Sequence, residues 1–138
     1  MEKLYLEIIT PSKIGYNGNV ISVTVPGTNG NFQILYNHAP IMSSLEIGEI
    51  KIEESEGIKL HFSTSGGTLE LSNNKIIILA ESLERSDNID LKRAEDAKTR
   101  AEKRLKDKRN ENIDEIRAEF ALKRAINRIN IAHKFSLN

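Results

Sequence analysis

The sequence predicts a β + α protein: an N-terminal antiparallel β-sandwich of about ten short strands, then a C-terminal antiparallel hairpin of two helices. Three observations support this fold class. Apolar and polar residues alternate with a period of two over much of residues 4–80. Clusters of Gly, Asn and Ser interrupt the alternation at short intervals. From Asp90 onward, apolar residues recur every three or four positions, which is the spacing of helices.

Short alternating segments account for most of the first 80 residues. Gly66-Gly67 and Asn73-Asn74 separate the last of them, because both residue types accept the positive φ of tight turns. The final segment, KIIILA, is more continuously apolar than the others, which predicts a central strand covered on both faces. The predicted strands occupy residues 4–9, 20–25, 49–53, 58–63, 68–72 and 75–80, with short strands also inside residues 26–48.

Two helices are predicted after Asp90, whose carboxylate is suited to accept the free amide groups of a helix N-terminus. Residues 109–112, RNEN, interrupt the periodicity, and a second helix is predicted to begin near Asp114. The apolar stripe of the first helix consists of Leu91, Ala94, Ala97 or Lys98, Ala101 and Leu105. The stripe of the second consists of Ala118, Ala121, Leu122, Ala125, Ile129 and Ala132, widened by Ile116, Phe120, Ile126 and Ile131.

Alanine dominates the apolar stripe of the first helix. Burying a large aliphatic side chain contributes about 1.5–3 kcal/mol, and an Ala methyl group contributes much less. Alanine also has the highest helix propensity, so each helix can persist while its docking stays weak. We therefore expect a hairpin that can leave the sandwich without unfolding it.

Charge divides the chain near residues 81–88. Residues 1–80 contain 5 basic and 8 acidic side chains, whereas residues 81–138 contain 15 and 12, so a net charge of −3 gives way to +3. This shift predicts a sandwich domain at residues 1–85 and a helical domain at 88–138. The first residues lack the apolar run of a secretion signal, and no segment is apolar enough to span a bilayer. Membrane association is expected only through partners.

The sequence contains no motif typical of an enzyme. It has no phosphate-binding P-loop, no nucleophile elbow and no paired His/Asp arrangement around a nucleophile. With three scattered His and no Cys, no metal site is expected. The basic run KRLKDKR at residues 103–109 is interrupted by Asp107 and lacks aromatic residues, which favours a solvated helix end over nucleic-acid binding.

Residues 26–48 carry the pattern P-G-x-x-G-x-F-x-I-L-x-x-H-A-P-x-x-x-x-L-x-x-G. Its positions are Pro26, Gly27, Gly30, Phe32, Ile34, Leu35, His38, Ala39, Pro40, Leu45 and Gly48. The pattern resembles that of the ε subunit of bacterial F-type ATP synthase, and the resemblance covers essentially the whole chain. Two positions depart from it: Tyr36-Asn37 replaces the usual Pro-Gly, and Asn31 stands where an acidic residue is common. Since Asn accepts the conformation of Gly, we expect the turn to survive.

The resemblance implies a non-catalytic rotor subunit of a proton-transporting ATP synthase, peripheral at the cytoplasmic face of the bacterial membrane. The sandwich would bind the γ subunit and the c-ring, with Asn31, His38 and Met42 at that contact. From its turn beside Pro40 alone, His38 is interpreted as a structural histidine that bonds the loop backbone. The hairpin would lie on the sandwich, or extend along γ into the α/β hexamer and inhibit ATP hydrolysis at an acidic segment of β. The basic residues implied in this inhibition are Arg117, Lys123, Arg124 and Arg128.

The segment from Ile89 to Ala94, IDLKRA, matches a motif at which some ε subunits bind ATP, I/L-D-x-x-R-A. Guanidinium groups suit phosphates, and Ile89 would offer adenine an apolar neighbour. A helix start capped by Asp90 also accounts for the motif, so both interpretations stand. ATP would then be a regulatory ligand rather than an obligatory cofactor, and a free-standing nucleotide sensor is the alternative function. The implied ATP-binding residues are Glu84, Ile89, Asp90, Arg93, Arg100, Arg124 and Arg128.

Overall fold

The computed structural model describes residues 3–107 and 112–135, without the side chains of 112–114. Those residues divide into two compact units, Met1–Arg85 and Ser86–Asn138. The first unit contains the strands and the second the helices. The strands are β1 Leu4–Ile9, β2 Ile14–Val20, β3 Ser22–Gly27, β4 Gly30–Ile34, β5 Ile41–Leu45, β6 Gly48–Ser55, β7 Ile58–Thr64, β8 Gly67–Ser72, β9 Lys75–Ala80 and β10 Leu83–Arg85. The helices are a 3₁₀ turn Ser86–Asn88, α1 Leu91–Lys106 and α2 Asn112–Lys134.

All ten described strands belong to one sheet, in the order β10-β7-β6-β3-β5-β8-β9-β1-β2, with β4 paired to β3. Neighbouring strands run antiparallel except β1 and β9, which pair in parallel from Tyr5↔Lys75 to Ile9↔Leu79. Alternate residues of β1, β6, β8 and β9 point inward, and the core that the strands form is almost inaccessible to water. Its largest members are Leu4, Leu6, Ile8, Ile34, Ile50, Ile52, Leu69, Leu71, Ile76 and Ile78. The predicted sandwich is therefore confirmed, with one parallel pair added.

Two strands escape the sequence prediction. The segment predicted at residues 20–25 is the end of β2 and most of β3, which part at Ile21. β2 contains two Gly and two Asn, residues of low strand propensity, so it shows no clear alternation. β10 is only three residues long and too short to have a period.

The prediction that β9 is covered on both faces is wrong. β9 lies between β8 and β1, so its backbone is paired on both sides. Only Ile76, Ile78 and Ala80 are buried, whereas Leu79 is 54% exposed. A continuous apolar run fits this strand because β-branched residues suit any pleated surface, and the run alone does not reveal how many faces are covered.

The two ends of the sheet meet and close the sandwich. Gly15 in β2 lies so close to β10 that a Cβ there would be 2.7 Å from Cδ2 of Leu83. The hydroxyl of Tyr16 donates to Oε2 of Glu54 in β6 at 2.7 Å. Its ring meets Phe62 of β7 edge to face, with 6.2 Å between centroids. β2 therefore bonds to β1 along one edge and covers β6, β7 and β10 with its side chains.

The first helix of the helical unit, α1, begins where the sequence predicts. Asp90 caps α1, and its Oδ1 accepts the backbone amide of Arg93 at 3.1 Å. α1 and α2 pack against each other, and only five residues separate their ends, so they run antiparallel. α2 begins at Asn112, two residues before Asp114 and therefore near the predicted start, and most of the predicted interruption at 109–112 lies outside the described residues. Among the helical side chains that the structure describes, the buried ones are Ala94, Ala101, Ala118, Ala125 and Ile131.

Three residues predicted to widen the stripe of α2 are not buried. Ile116, Phe120 and Ile126 are 54%, 49% and 38% exposed. Ile116 and Phe120 each lie two positions from Ala118, which is about 200° around a helix and therefore on its far side. The correct interpretation of the pattern is a narrow seam made mostly of alanine together with Ile131, with separate apolar residues outside it.

Replacing Tyr16 by Phe tests the closure of the sandwich. We expect the free energy of unfolding to fall by about 1 kcal/mol at pH 7, the net value of one hydrogen bond. Burial, with the hydrogen bond to Glu54 and the charge of Glu54, raises the pKa of Tyr16 above its usual range. The protonated phenol therefore contributes its full stability below the unfolded pKa near 10.0, and this is lost as the pH rises above that value.

Urea unfolding of wild type and Tyr16→Phe between pH 7 and 11 measures this difference. The advantage of the wild type should shrink above pH 10, because the unfolded phenol ionises first. The matched control is Tyr5→Phe, on the outer face of β1, for which we expect a smaller change. An advantage that stays constant across this pH range contradicts the assignment.

Candidate functional site

The patterned segment of residues 26–48 folds back on itself. β3 and β4 form a hairpin, a loop of residues 35–40 leads to β5, and Gly48 opens β6. The amide of Glu46 donates to the carbonyl of Pro26 at 2.7 Å. A Cβ on Gly48 would lie 2.7 Å from Cβ of Pro26, so only Gly lets the two ends of the pattern pack this closely. The spacing from Pro26-Gly27 to Gly48 is therefore a packing requirement.

His38 stabilises the loop of residues 35–40 by forming hydrogen bonds with the backbone of that loop, as predicted. Its Nδ1 donates to the carbonyl of Ala39 at 2.7 Å, and its amide donates to the carbonyl of Leu35 at 3.2 Å. Asn37, which stands where the resembling pattern has Gly, has φ 65°. The expectation that Asn preserves the turn is thus confirmed.

The loop is also bonded to a distant turn. Asn74, between β8 and β9, accepts the amide of Asn37 on its Oδ1 at 2.6 Å and donates from Nδ2 to Oδ1 of Asn37 at 3.3 Å. The two residues are 37 positions apart, and the sequence shows Asn73-Asn74 only as a turn. Recognition of this contact from sequence would have required knowing which strands neighbour each other.

The three residues implied in partner contact lie along β5 and β4. Met42 in β5 is 79% exposed, which leaves its thioether side chain available to a partner. Asn31 is exposed in β4, where it pairs with Pro26 near the end of β5 that carries Leu45. His38 is half-buried and precedes the start of β5. The structure therefore spreads the three residues along the sandwich rather than gathering them at one point.

The residues implied in ATP binding belong to both units. Glu84 lies in β10 of the sandwich, and the others lie in the helical unit. Ile89 is half-buried between the 3₁₀ turn and α1, and the backbone of Arg93 is tied to Asp90 by the cap. The spacing of seven residues places Arg93 and Arg100 on one face of α1. On α2, Arg124 and Arg128 share a face through a spacing of four.

The basic residues of α2 do not share one face. Arg117, Arg124 and Arg128 follow at spacings of seven and four, which form one stripe along the helix. Lys123 lies outside this stripe, with Nζ 5.8 Å from the centroid of the Phe120 ring, a cation–π contact. The stripe of three Arg is the part of the predicted basic helix that could meet an extended acidic surface.

Two general features complete the description of these sites. No three His, Asp or Glu side chains come together as metal ligands within residues 3–107 and 112–135. No helix within those residues is long and apolar enough to cross a bilayer.

Comparison with protein families identifies both units. The family model for the β-sandwich domain of the ATP synthase delta/epsilon chain matches residues 3–86, and the model for its long α-helix domain matches residues 87–133. The chain belongs to the ATP synthase delta/epsilon-chain family. This membership confirms the resemblance stated from residues 26–48, and the ε-type fold of a sandwich followed by two helices.

Curated relatives and solved structures agree with this family. An ATP synthase epsilon chain from Nitratidesulfovibrio vulgaris is 46% identical over 106 residues, which is 76% of this chain and 78% of the relative. One from Desulforamulus reducens is 42% identical over 103 residues, 75% and 77% of the two chains.

Two solved structures share the fold of this ε-type chain. A chain of the Euglena gracilis mitochondrial ATP synthase, OSCP/F1/c-ring, matches with a TM-score of 0.80, at 18% identity, over 100% of this chain and 83% of that one. A chain of the Tetrahymena thermophila mitochondrial ATP synthase central stalk/c-ring matches with a TM-score of 0.60, at 16% identity, over 96% and 95%.

Proposed function

We propose that the chain is a non-catalytic rotor subunit of a bacterial F-type ATP synthase. Its sandwich links γ to the c-ring during proton-driven ATP synthesis, and its helices inhibit ATP hydrolysis. The observation that carries this proposal is the match of both units, over residues 3–133, to the delta/epsilon-chain models. Through these partners the chain associates peripherally with the cytoplasmic face of the cell membrane.

The sandwich has the properties required of a rotor contact. A subunit that transmits torque must not deform, and each of the strands from β1 to β9 contributes at least one apolar side chain to a single buried core. The partner-facing residues Asn31, His38 and Met42 stand on or beside its strands rather than on a long loop. Exposed Met42 gives the surface an adaptable apolar contact, and His38 keeps its loop folded.

The helices have the properties required of a movable element that inhibits ATP hydrolysis. Four of the five buried residues among the described side chains of the helices are Ala, so each helix loses little apolar burial when it changes partners. The Arg stripe of α2, formed by Arg117, Arg124 and Arg128, can meet the acidic segment of β when the hairpin extends along γ into the α/β hexamer. Planar guanidinium groups suit such a surface because each can bind a carboxylate with two parallel hydrogen bonds.

Loss of the Arg stripe should relieve the inhibition of ATP hydrolysis. In the assembled enzyme, Arg117→Gln with Arg124→Gln removes two charges that contribute about 0.5–1 kcal/mol each. The ratio of inhibited to active enzyme should then fall about five- to thirtyfold, and ATP hydrolysis should rise. The matched control is Lys123→Gln, which removes a charge outside the stripe and should change the rate much less.

Removal of all residues after Ser86 sets the upper limit in the same assay, and assembly with γ should persist. An ATPase rate unchanged by this truncation would refute inhibition by the helices. Recovery of the full chain without α, β and γ on affinity purification would instead favour the free-standing nucleotide sensor.

We propose further that ATP is a regulatory ligand of the helical unit. The Asp90 cap fixes the start of α1, and thereby the backbone from which the exposed Arg93 side chain projects. Guanidinium groups of Arg93 and Arg100 on α1, and of Arg124 and Arg128 on α2, would bind the phosphates. Ile89 would contact adenine.

Isothermal titration of the isolated chain with ATP measures this binding. We expect saturable heat for wild type, and an affinity at least about tenfold lower for Arg93→Ala, because a charge-assisted hydrogen bond contributes about 1.5–3 kcal/mol. Lys92 is an exposed neighbour at an unspecified position of the I/L-D-x-x-R-A motif. Lys92→Ala is therefore the matched control and should bind ATP as wild type does. Absence of saturable heat for wild type would end the proposal.

A further inference from the structure

Asn74 joins three separate segments of the sandwich. Its side chain holds the loop of residues 35–40 through the two hydrogen bonds with Asn37, of 2.6 and 3.3 Å. Its backbone carbonyl accepts the amide of Tyr5 at 2.9 Å, which ties the same residue to the start of β1. The loop is thus anchored, through one side chain, to the paired strands β1 and β9.

The backbone at both ends of this contact has a positive φ, which favours Asn or Gly. Asn37 has φ 65° and Asn74 has φ 61°, a conformation that Asn accepts more readily than most residues. Asn73, with φ 50°, completes a two-residue turn of the kind that favours tight hairpins. Asn73 is exposed whereas Asn74 is half-buried, so the two neighbours share a backbone conformation and differ in what their side chains do.

The loop held by Asn74 presents apolar side chains to solvent. Leu35 and Tyr36 immediately precede Asn37 and are 50% and 37% exposed. Exposed apolar side chains on a fixed loop bind a partner with less loss of conformational entropy than the same side chains on a mobile one. Tyr36 and Asn37 are also the positions at which this chain departs from the Pro-Gly of the resembling pattern, so the loop lacks the rigidity that Pro would supply.

We propose that Asn74 is a positioning residue for partner binding. Its two hydrogen bonds with Asn37, which we call the clasp, restrict the loop in place of the absent Pro. They thereby fix Leu35, Tyr36 and His38 for contact with the γ–c-ring surface. This inference rests on the proposed rotor function for the identity of the partner. The clasp itself is a property of the isolated chain and is measured there.

Asn74→Gly removes both side-chain hydrogen bonds and retains the positive φ of the turn. The amide hydrogen of Asn37 in the isolated chain should then exchange about three- to tenfold faster, the value of one net hydrogen bond. The affinity for purified γ–c-ring subcomplex should fall by a similar factor. Asn73→Gly, with the same backbone conformation, is the matched control and should leave both quantities within about twofold.

Asn74→Asp tests the clasp by rescue. Its carboxylate still accepts the Asn37 amide, and the Asn37 side chain can turn its NH₂ toward it, so exchange and affinity should stay near wild type. It also serves if Asn74→Gly fails to fold, because Asn37 exchange faster than wild type in Asn74→Asp would contradict the proposed acceptor role.

Three further outcomes would overturn the clasp, the positioning role or the rotor function. Unchanged Asn37 exchange in a folded Asn74→Gly protein overturns the clasp. Faster exchange with unchanged affinity overturns the positioning role and leaves the rotor function intact. If the wild-type chain itself does not bind the γ–c-ring subcomplex, the proposed function fails, and the positioning role fails with it.

Discussion

The sandwich depends on the bending of one sheet, whose single apolar face packs against itself. Leu6, Ile8, Ile76 and Ile78 of the paired strands β1 and β9 are fully buried only because β6 and β7 bring Ile50, Ile52 and Phe62 to the same core. β2 closes the sandwich although its Gly and Asn residues give it a low strand propensity. It does so through the ring and hydroxyl of Tyr16 and through the close approach of Gly15 to Leu83. A side chain at Gly15 or an ionised phenol at Tyr16 would therefore affect the whole core rather than one strand.

The helical unit is built on a different principle. Its helices are specified locally, by the Asp90 cap and by many alanines, and their packing buries few large side chains. Local specification lets each helix keep its shape when its surroundings change. A rigid sandwich and locally specified helices together suit the proposed rotor subunit, in which the sandwich binds γ and the c-ring and the helices change position.

Sequence patterns predicted the elements whose signals are local. Eight of the ten described strands, the start of α1 and the role of His38 follow from alternation, turn residues and capping chemistry within a few positions. β2 was missed because Gly and Asn mask its period, and β10 because three residues have none. The face covered at β9, the exposure of Phe120 and the Asn37–Asn74 contact depend on which elements become neighbours in space. A single sequence does not encode that information in any local pattern.

Amide hydrogen exchange of the whole chain, measured at several low concentrations of denaturant, tests whether the helices open independently of the sandwich. We expect amides of α1 and α2 to exchange through an opening that leaves those of Leu6 and Ile78 protected, so that two sets of opening free energies appear. If amides of Ala101, Ala125, Leu6 and Ile78 instead exchange through a single global opening, the helices are not a separately movable unit.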